Sequence, residues 1–287
     1  MNKYVIWRHE NALGNSAEHC INLSNLIQEN NDYNCKIYVE KDFQKYFAMC
    51  IPGVNFENIL FLDKNYDLDN LIYNYKQYDD ISDIIFPNVY FNSGYPSSWK
   101  DLQKLKFYLK FPQNHYQNKH NLPKDVILMQ FRESNTFWKR IDGSNSEPER
   151  DVNIEIFFKL SLYYADLGYT VVRIGDSNQT LMPKHNNIID FTRFKNTNML
   201  DDLYLLNNSK VFISTDSGIW PMAGGLKKNL VLTNVASVYQ GTNYIKKPEI
   251  INWLNNEITE VLLKKIENEK YVDNTFEEIV NATKRFL

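Results

Sequence analysis

The chain contains the sequence Val211-Phe-Ile-Ser-Thr-Asp-Ser-Gly-Ile-Trp-Pro-Met-Ala223, followed closely by Leu230-Val-Leu-Thr-Asn234. The two apolar runs are short and rich in β-branched residues, which predicts buried β-strands. Between them, Gly218 permits a tight turn, and Pro221 stands where the first turn of a helix tolerates proline. The pattern predicts a strand, a glycine turn, a short helix and a second strand, which is the repeating unit of a parallel α/β sheet.

The same alternation extends along the rest of the chain and restarts once. In the first half it predicts strands at 4–8, 35–40, 58–63 and 81–86, with a helix at 16–29. After a polar, proline-containing segment at 94–124, it predicts strands at 126–131, 169–174, 187–191, 211–215 and 230–234, and helices at 153–167, 198–206, 220–226, 247–267 and 275–287. We therefore expect two similar open α/β sheets in tandem, in domains 1–120 and 121–287, with the main cleft between them.

Composition excludes several classes of protein. Hydrophobic residues make up 43% of the 287 residues and charged residues 23%, which is typical of a globular protein and not of a disordered or fibrous one. The net charge of −3 argues against a dedicated nucleic-acid binder. Three sparse cysteines, Cys20, Cys35 and Cys50, indicate free thiols in a reducing compartment. We expect neither a signal peptide nor a membrane span, and we therefore expect a cytoplasmic protein; contact with the inner face of the membrane stays open.

Candidate ligand contacts follow the strand ends, because open parallel sheets bind ligands beyond the carboxyl ends of their strands. In the second half these positions are Arg132, Arg173, Gly175, Asp176, Thr192, Arg193 and the segment Thr215-Asp-Ser-Gly218. Guanidinium groups can bind a diphosphate through two parallel hydrogen bonds, and the 215–218 turn offers hydroxyl and backbone N–H groups. Arg140 lies in the predicted loop that follows the 126–131 strand, and it could close over the same diphosphate. The set predicts an anion site with ribose or sugar contacts nearby.

Structural alternatives exist for the same arginines. Arg132 and the loop arginines Arg140 and Arg150 have acidic neighbours in sequence, and Arg173 could form a salt bridge with Asp190 instead of contacting a ligand. The 215–218 turn could equally be a capped turn without a ligand.

The residues from Val126 to Asn234 resemble the C-terminal domain of GT-B-type glycosyltransferases. The 211–234 sequence quoted above is similar to the nucleotide-sugar loop of bacterial heptosyltransferases. Tyr164-Ala-Asp-Leu-Gly-Tyr-Thr-Val-Val-Arg-Ile-Gly-Asp176 and Leu200-Asp-Asp-Leu-Tyr-Leu205 look like a further group of bacterial glycosyltransferases. The resemblance implies a fold of two Rossmann-like domains in tandem, with the last helix, 275–287, packing back on the N-terminal domain.

The resemblance also implies an activity. Such enzymes rest the diphosphate of a nucleotide sugar on the loop that matches Thr215, Asp216, Ser217 and Gly218, with Arg132 as a phosphate partner. The function implied is transfer of a sugar to a glycan, lipid-linked or polysaccharide acceptor, with inversion at the sugar. No Asp-x-Asp sequence stands at a strand end, so we expect no metal and no other cofactor. The alternatives are a nucleotide-sugar hydrolase or epimerase, or a non-catalytic binding protein on the same scaffold.

The N-terminal domain is expected to supply the acceptor side and the catalytic base. In heptosyltransferases a Gly-Asp pair after the first strand provides that base, but the matching place here is Gly14-Asn15, and asparagine cannot accept a proton. The nearby candidates are Glu10, His9 and Glu18, of which Glu10 in the loop after the first strand is preferred.

Glu10→Gln tests this assignment, because it keeps the size and hydrogen bonding of the side chain but removes its basicity. We expect turnover to fall by about 10²-fold or more, with donor affinity nearly unchanged. Steady-state rates and donor titration on the same preparation measure both. A near-normal rate would transfer the role to His9 or Glu18.

Overall fold

The computed structural model describes residues 4–7, 16–17, 20–21, 23–24, 27–28, 31, 33–61, 84–85, 108–133, 151–215, 218–235, 257–267 and 270–287; for 4–7, 84–85 and 270 only the backbone is considered. The chain divides into two compact units, Met1–Tyr116 and Gln117–Leu287. The boundary expected from the sequence, at residue 120, lies within the first few residues of the second unit.

The first unit contains a small parallel sheet. Its described strands are β1 (Tyr4–Trp7), β2 (Lys36–Val39), β3 (Ile59–Phe61) and β4 (Ile84–Ile85), in the order β3-β2-β1-β4. The described residues between 16 and 28 are helical, and helix α1 (Asp42–Ala48) follows β2. All three cysteines are buried, and none forms a disulfide bond, as the sequence predicts.

The second unit is built on a larger parallel sheet. Its strands are β5 (Val126–Gln130), β6 (Val171–Arg173), β7 (Ile188–Asp190), β8 (Ser209–Thr215), β9 (Leu230–Val235) and β10 (Thr259–Leu263), followed by the antiparallel hairpin of β11 (Lys265–Glu267) and β12 (Lys270–Val272). Its helices are α2 (Ile154–Asp166), α3 (Met199–Asn207), α4 (Trp220–Gly225) and α5 (Phe276–Lys284). Among the described residues the sheet order is β10-β9-β8-β5-β6-β7, which is the Rossmann order.

The core of this unit explains why its strands are so apolar. Residues Val126–Met129 of β5 have no exposed surface, because both faces of a parallel sheet are covered. Helix α2 begins at the predicted cap, where the Asn153 side chain accepts a hydrogen bond from the Glu155 N–H, and it ends before Gly168, whose φ is +88°. Its inner side chains, Phe157 among them, pack into the same buried cluster as β5, β6 and β8.

The last helix, α5, packs on the second unit, whereas its expected packing on the N-terminal domain stays a prediction. Ile279, Val280 and Ala282 of α5 belong to the buried cluster of the second unit, and the Phe276 ring lies 5.4 Å from the ring of Tyr163 on α2. The amphipathic pattern correctly predicts a helix with one apolar face, but periodicity does not say which surface covers that face.

The prediction of a helix over 247–267 is also wrong for its described part, which forms strands β10 and β11. Glutamate, leucine and lysine in this segment favour a helix by intrinsic propensity. Tertiary pairing overrides that preference, because Thr259–Val261 pair in parallel with Leu230–Leu232 of β9 and extend the sheet.

Ile279→Ala tests the packing of α5 on the second unit. We expect a loss of about 2–5 kcal/mol, because the substitution leaves a cavity in a fully buried cluster. Native-state hydrogen exchange of β5 amides such as that of Ile127 measures the loss within this unit. Asn281→Ala, at an exposed position of the same helix, should change exchange little; equal effects of the two variants would contradict the packing.

Candidate functional site

The carboxyl ends of β5 and β8 meet at the middle of the second sheet. From β5 the chain continues to β6 and β7 on one side, and from β8 it continues to β9 and β10 on the other. Open α/β sheets bind ligands at this point, where the strand order reverses and the two outgoing connections separate. Gln130 at the end of β5 pairs with Ser214 near the end of β8, so the residues after both strands are neighbours.

Two of the predicted site residues are brought together here. The backbone N–H of Arg132 donates a hydrogen bond of 3.2 Å to Oγ1 of Thr215. The Arg132 side chain is only 3% exposed, and its Nε lies 3.1 Å from Oδ1 of Asp151. The guanidinium is thus held at the end of β5 by an acidic residue that lies just before α2.

Gln130 supports the turn that contains Gly218, and sequence analysis missed it. The N–H of Ile219 donates to Oε1 of Gln130 at 3.3 Å. Gly218 has φ of +70°, and a Cβ at this position would overlap the side-chain amide of Gln130. The sequence signal that could have identified Gln130 is its place as a polar residue at the end of an otherwise apolar strand. The turn therefore requires glycine for its backbone conformation and for space.

A buried ionic network contacts the backbone of Asp151, the partner of Arg132. Lys264 Nζ donates to the carbonyl oxygen of Asp151 at 2.6 Å and lies 2.8 Å from Oδ1 of Asp273. The other carboxylate oxygen of Asp273 accepts from the backbone N–H of Asn153 at 2.5 Å. The sequence could not reveal this network, because Lys264 stands in a segment with helical propensity and meets Asp151 only through sheet pairing.

Side chains of the protein already cap the beginning of helix α2. Asn153 accepts from the N–H of Glu155, while Asp273 accepts from the N–H of Asn153. A helix N-terminus attracts anions through such N–H groups, and here carboxylate and amide oxygens engage them. The protein's own oxygens therefore engage these N–H groups at the start of α2.

The structure does not present Arg173 to a ligand. Its side chain is fully buried, its Nη2 bonds to Glu133, its Nη1 bonds to the carbonyl of Thr180, and its guanidinium lies 4.3 Å from the centre of the Phe131 ring. Burial lowers the pKa of Arg173, and the Glu133 carboxylate opposes that shift. Arg173 therefore forms a salt bridge, as the structural alternative expected, but its bonded partner is Glu133 and not Asp190.

The other candidates near Arg173 shape the loop after β6. Gly175 has φ of +144°, and a Cβ there would overlap the amide of Gln179, which donates to the Phe131 carbonyl at 2.7 Å. The Asp176 carboxylate accepts from the N–H of Asn178 at 2.7 Å and closes a turn. These contacts are local and fix the backbone of the loop.

Arg193, just after β7, supports the same loop, while Thr192 bonds to the end of β7. Thr192 Oγ1 donates to Asp190 at 2.5 Å, and Arg193 donates to the carbonyl oxygens of Ser177 and Gln179. The five candidates from Arg173 to Arg193 thus form a second cluster beside the β5–β8 junction, in which most polar groups bond to protein.

The remaining candidates cannot be placed. His9, Glu10, Glu18, Arg140, Asp216 and Ser217 lie outside the described residues. Within the part of the chain that the structure describes, no three His, Cys, Asp or Glu side chains are grouped as metal ligands. No helix in that part is both long enough and apolar enough to cross a membrane.

Gly218→Ala tests the turn. We expect a loss of roughly 1–2 kcal/mol from the left-handed conformation, and a further loss from the overlap with Gln130. Gln130→Ala in the Gly218→Ala background should relieve only the loss of stability that the overlap causes. Denaturant unfolding of the wild type, the two single variants and the double variant measures this. Gly224→Ala is the control, because a Cβ at Gly224 meets nothing within 4 Å. Equal effects at both glycines would contradict the proposed packing.

No protein-family model matches the sequence, and a search of curated proteins gives no match. Solved structures do match. The chain superimposes on ADP-heptose lps heptosyltransferase II of Escherichia coli with a TM-score of 0.60 and 14% identity, over 100% of this chain and 98% of the other.

Two further structures give similar results. The glycosyl transferase family 9 protein of Veillonella parvula DSM 2008 has a TM-score of 0.57 and 13% identity, over 99% of this chain and 97% of the other. Heptosyltransferase WaaC of Escherichia coli, solved with ADP, has a TM-score of 0.52 and 9% identity, over 99% and 97%. At these identities the likeness establishes the fold: this chain has the GT-B-type α/β fold of the heptosyltransferases.

Proposed function

We propose that this protein is a glycosyltransferase that moves a sugar from a nucleotide diphosphate donor to a glycan, lipid-linked or polysaccharide acceptor. The observation that carries the proposal is the contact between Arg132 and Thr215 at the β5–β8 junction. Through a backbone N–H, it joins the residue that carries a buried guanidinium to the first residue of the segment that resembles a nucleotide-sugar loop, in a chain with the fold of heptosyltransferases.

The donor diphosphate would bind between Arg132 and the 215–218 turn. Negative charge grows on the diphosphate as its bond to the sugar breaks, and a guanidinium with backbone N–H groups stabilises that charge. The Asp151 carboxylate and the Thr215 hydroxyl both contact Arg132, which keeps its position defined before the donor arrives. Thr215, Asp216, Ser217 and Gly218 are the proposed loop contacts.

The acceptor would be activated from the first unit. Strand β1 lies between β2 and β4, so its carboxyl end lies at the reversal point of the first sheet. Glu10 follows β1 closely in sequence and is the proposed base, with His9 and Glu18 as alternatives. The base takes the proton of the acceptor hydroxyl, the oxygen forms a bond to the anomeric carbon, and the nucleoside diphosphate leaves with its bonding electrons. Attack from the face opposite the leaving group inverts the sugar.

The loop after β6 is proposed to border the nucleoside or the sugar. Gly175 is exposed there, and Asp176 keeps part of its surface accessible. Arg193 holds this loop, and Thr192 and Arg140 are retained as proposed contacts. Arg173 is assigned a structural role only.

No metal is required in this proposal, since the cationic groups belong to the chain. The carboxylate pair Asp201 and Asp202 does not resemble a ligand pair, because Asp201 accepts the Asn198 N–H at 2.9 Å and burial raises the pKa of Asp202 to about 7. Buried cysteines that form no disulfide support a cytoplasmic location, where nucleotide sugars are the expected donors.

Arg132→Ala tests the donor site. We expect nucleotide-sugar affinity to fall by about 1.5–3 kcal/mol, the range for a hydrogen bond to a charged group. A thermal-shift screen with UDP-, GDP-, ADP- and CMP-sugars first identifies the donor, since a ligand at 100 times its Kd adds about 2.7 kcal/mol of stability. Titration calorimetry then compares the variants.

Arg285→Ala is the matched control, because Arg285 is exposed and pairs with Glu260 at the edge of the sheet. Unchanged binding in folded Arg132→Ala would remove Arg132 from the site. Transfer to an acceptor should persist in EDTA; loss that Mg²⁺ or Mn²⁺ restores would contradict the metal-free reaction. Turnover of the donor without any acceptor would favour a hydrolase or epimerase, and tight binding without turnover would favour a binding protein.

A further inference from the structure

We propose that Lys264 and Asp273 are positioning residues, which act through Asp151 to orient Arg132 for the donor diphosphate. This inference rests on the function proposed above. It concerns residues that lie far from Arg132 in sequence and that the resemblance to glycosyltransferases does not assign.

The backbone before α2 is fixed at three consecutive residues. The Asp151 carbonyl accepts from Lys264 at 2.6 Å, the Val152 N–H donates to the Arg132 carbonyl at 3.3 Å, and the Asn153 N–H donates to Asp273 at 2.5 Å. These bonds determine where the Asp151 carboxylate lies. That carboxylate contacts Nε of Arg132 at 3.1 Å, so the network sets the plane of the guanidinium.

Lys264 reaches this position because of a local irregularity in the sheet. The pairing of β10 with β9 shifts register between Val261 and Leu263, and such a shift redirects the side chains that follow it. Lys264 is buried with 3% of its side chain exposed, whereas its neighbour Lys265 is 56% exposed. A buried lysine needs a paired anion, and Asp273 supplies it at 2.8 Å.

Asp273 is held in turn by a reciprocal pair of asparagines. The N–H of Asn234 donates to Oδ1 of Asn274 at 2.6 Å, and the N–H of Asn274 donates to Oδ1 of Asn234 at 2.7 Å. Asn274 Nδ2 also donates to the Leu263 carbonyl at 2.8 Å. The segment that carries Asp273 is therefore bound to the ends of β9 and β10.

This arrangement makes Lys264 act indirectly. The Lys264 ammonium group is already bonded to the Asp151 carbonyl oxygen and to the Asp273 carboxylate, both of which belong to the protein. Its effect on a bound diphosphate would pass through Arg132, whose long side chain otherwise loses rotamer freedom when it binds an anion. Preorganisation of this kind increases affinity without an added contact to the ligand.

The test measures binding of inorganic pyrophosphate and of ADP by titration calorimetry to the full-length chain. The variants are Lys264→Met, Asp151→Asn and Arg132→Ala, with Lys265→Met as the control for loss of an adjacent positive charge. We expect Arg132→Ala to weaken pyrophosphate binding by roughly 10- to 150-fold, Lys264→Met and Asp151→Asn each by about 10-fold, and Lys265→Met by less than 2-fold.

The double variant Arg132→Ala with Lys264→Met separates positioning from a merely structural role. If Lys264 acts through Arg132, the double variant binds pyrophosphate no more weakly than Arg132→Ala alone. Additive losses of pyrophosphate affinity in the double variant would overturn this inference and leave the donor site intact. The same holds if Lys264→Met and Asp151→Asn bind pyrophosphate normally while Arg132→Ala is impaired. Unchanged binding in Arg132→Ala, or no binding by the wild-type chain, would overturn both. Should Lys264→Met fail to fold, Asp273→Asn, which keeps the volume of the side chain but removes the charge that pairs with Lys264, decides the question by the same double-variant comparison with Arg132→Ala.

Discussion

The parallel pairing of β5 with β8 joins two parts of the second unit that are distant in sequence. The register that matches Gln130 with Ser214 brings Arg132 and Thr215 into contact although 83 residues separate them. It also aligns the buried residues of both strands on the two faces of the sheet. A slip of one residue would turn each buried side chain to the opposite face, so the apolar core enforces the geometry of the polar edge.

At this edge, two consecutive charged residues serve different purposes. Arg132 bonds to Asp151, near the start of α2, while Glu133 bonds to Arg173 and to the backbone N–H of Thr180. Successive residues of an extended chain point in opposite directions, which explains how one strand end supports two clusters. The first cluster borders the turn at Gly218, and the second stabilises the loop after β6.

Buried charge is tolerated here because it is paired. A single charged group in the interior is costly, and each of the buried ions at this edge has an oppositely charged neighbour. In the proposed reaction this pairing also preorganises the charged groups. Groups that are already held in place need no reorganisation when negative charge develops on a leaving diphosphate.

By itself the sequence determined the alternation of strands and helices, the break between two α/β units, the start of helices near Asn153 and Asn198, and the glycine turn after β8. These depend on contacts between near neighbours, which periodicity and residue type encode. Tertiary structure alone decided that 259–263 joins the sheet, that α5 covers the second unit, and that Arg173 is structural. It also decided which partners meet, Gln130 with Gly218 and Lys264 with Asp151, because the positions of residues far apart in the chain follow from strand order and register, which no local pattern contains.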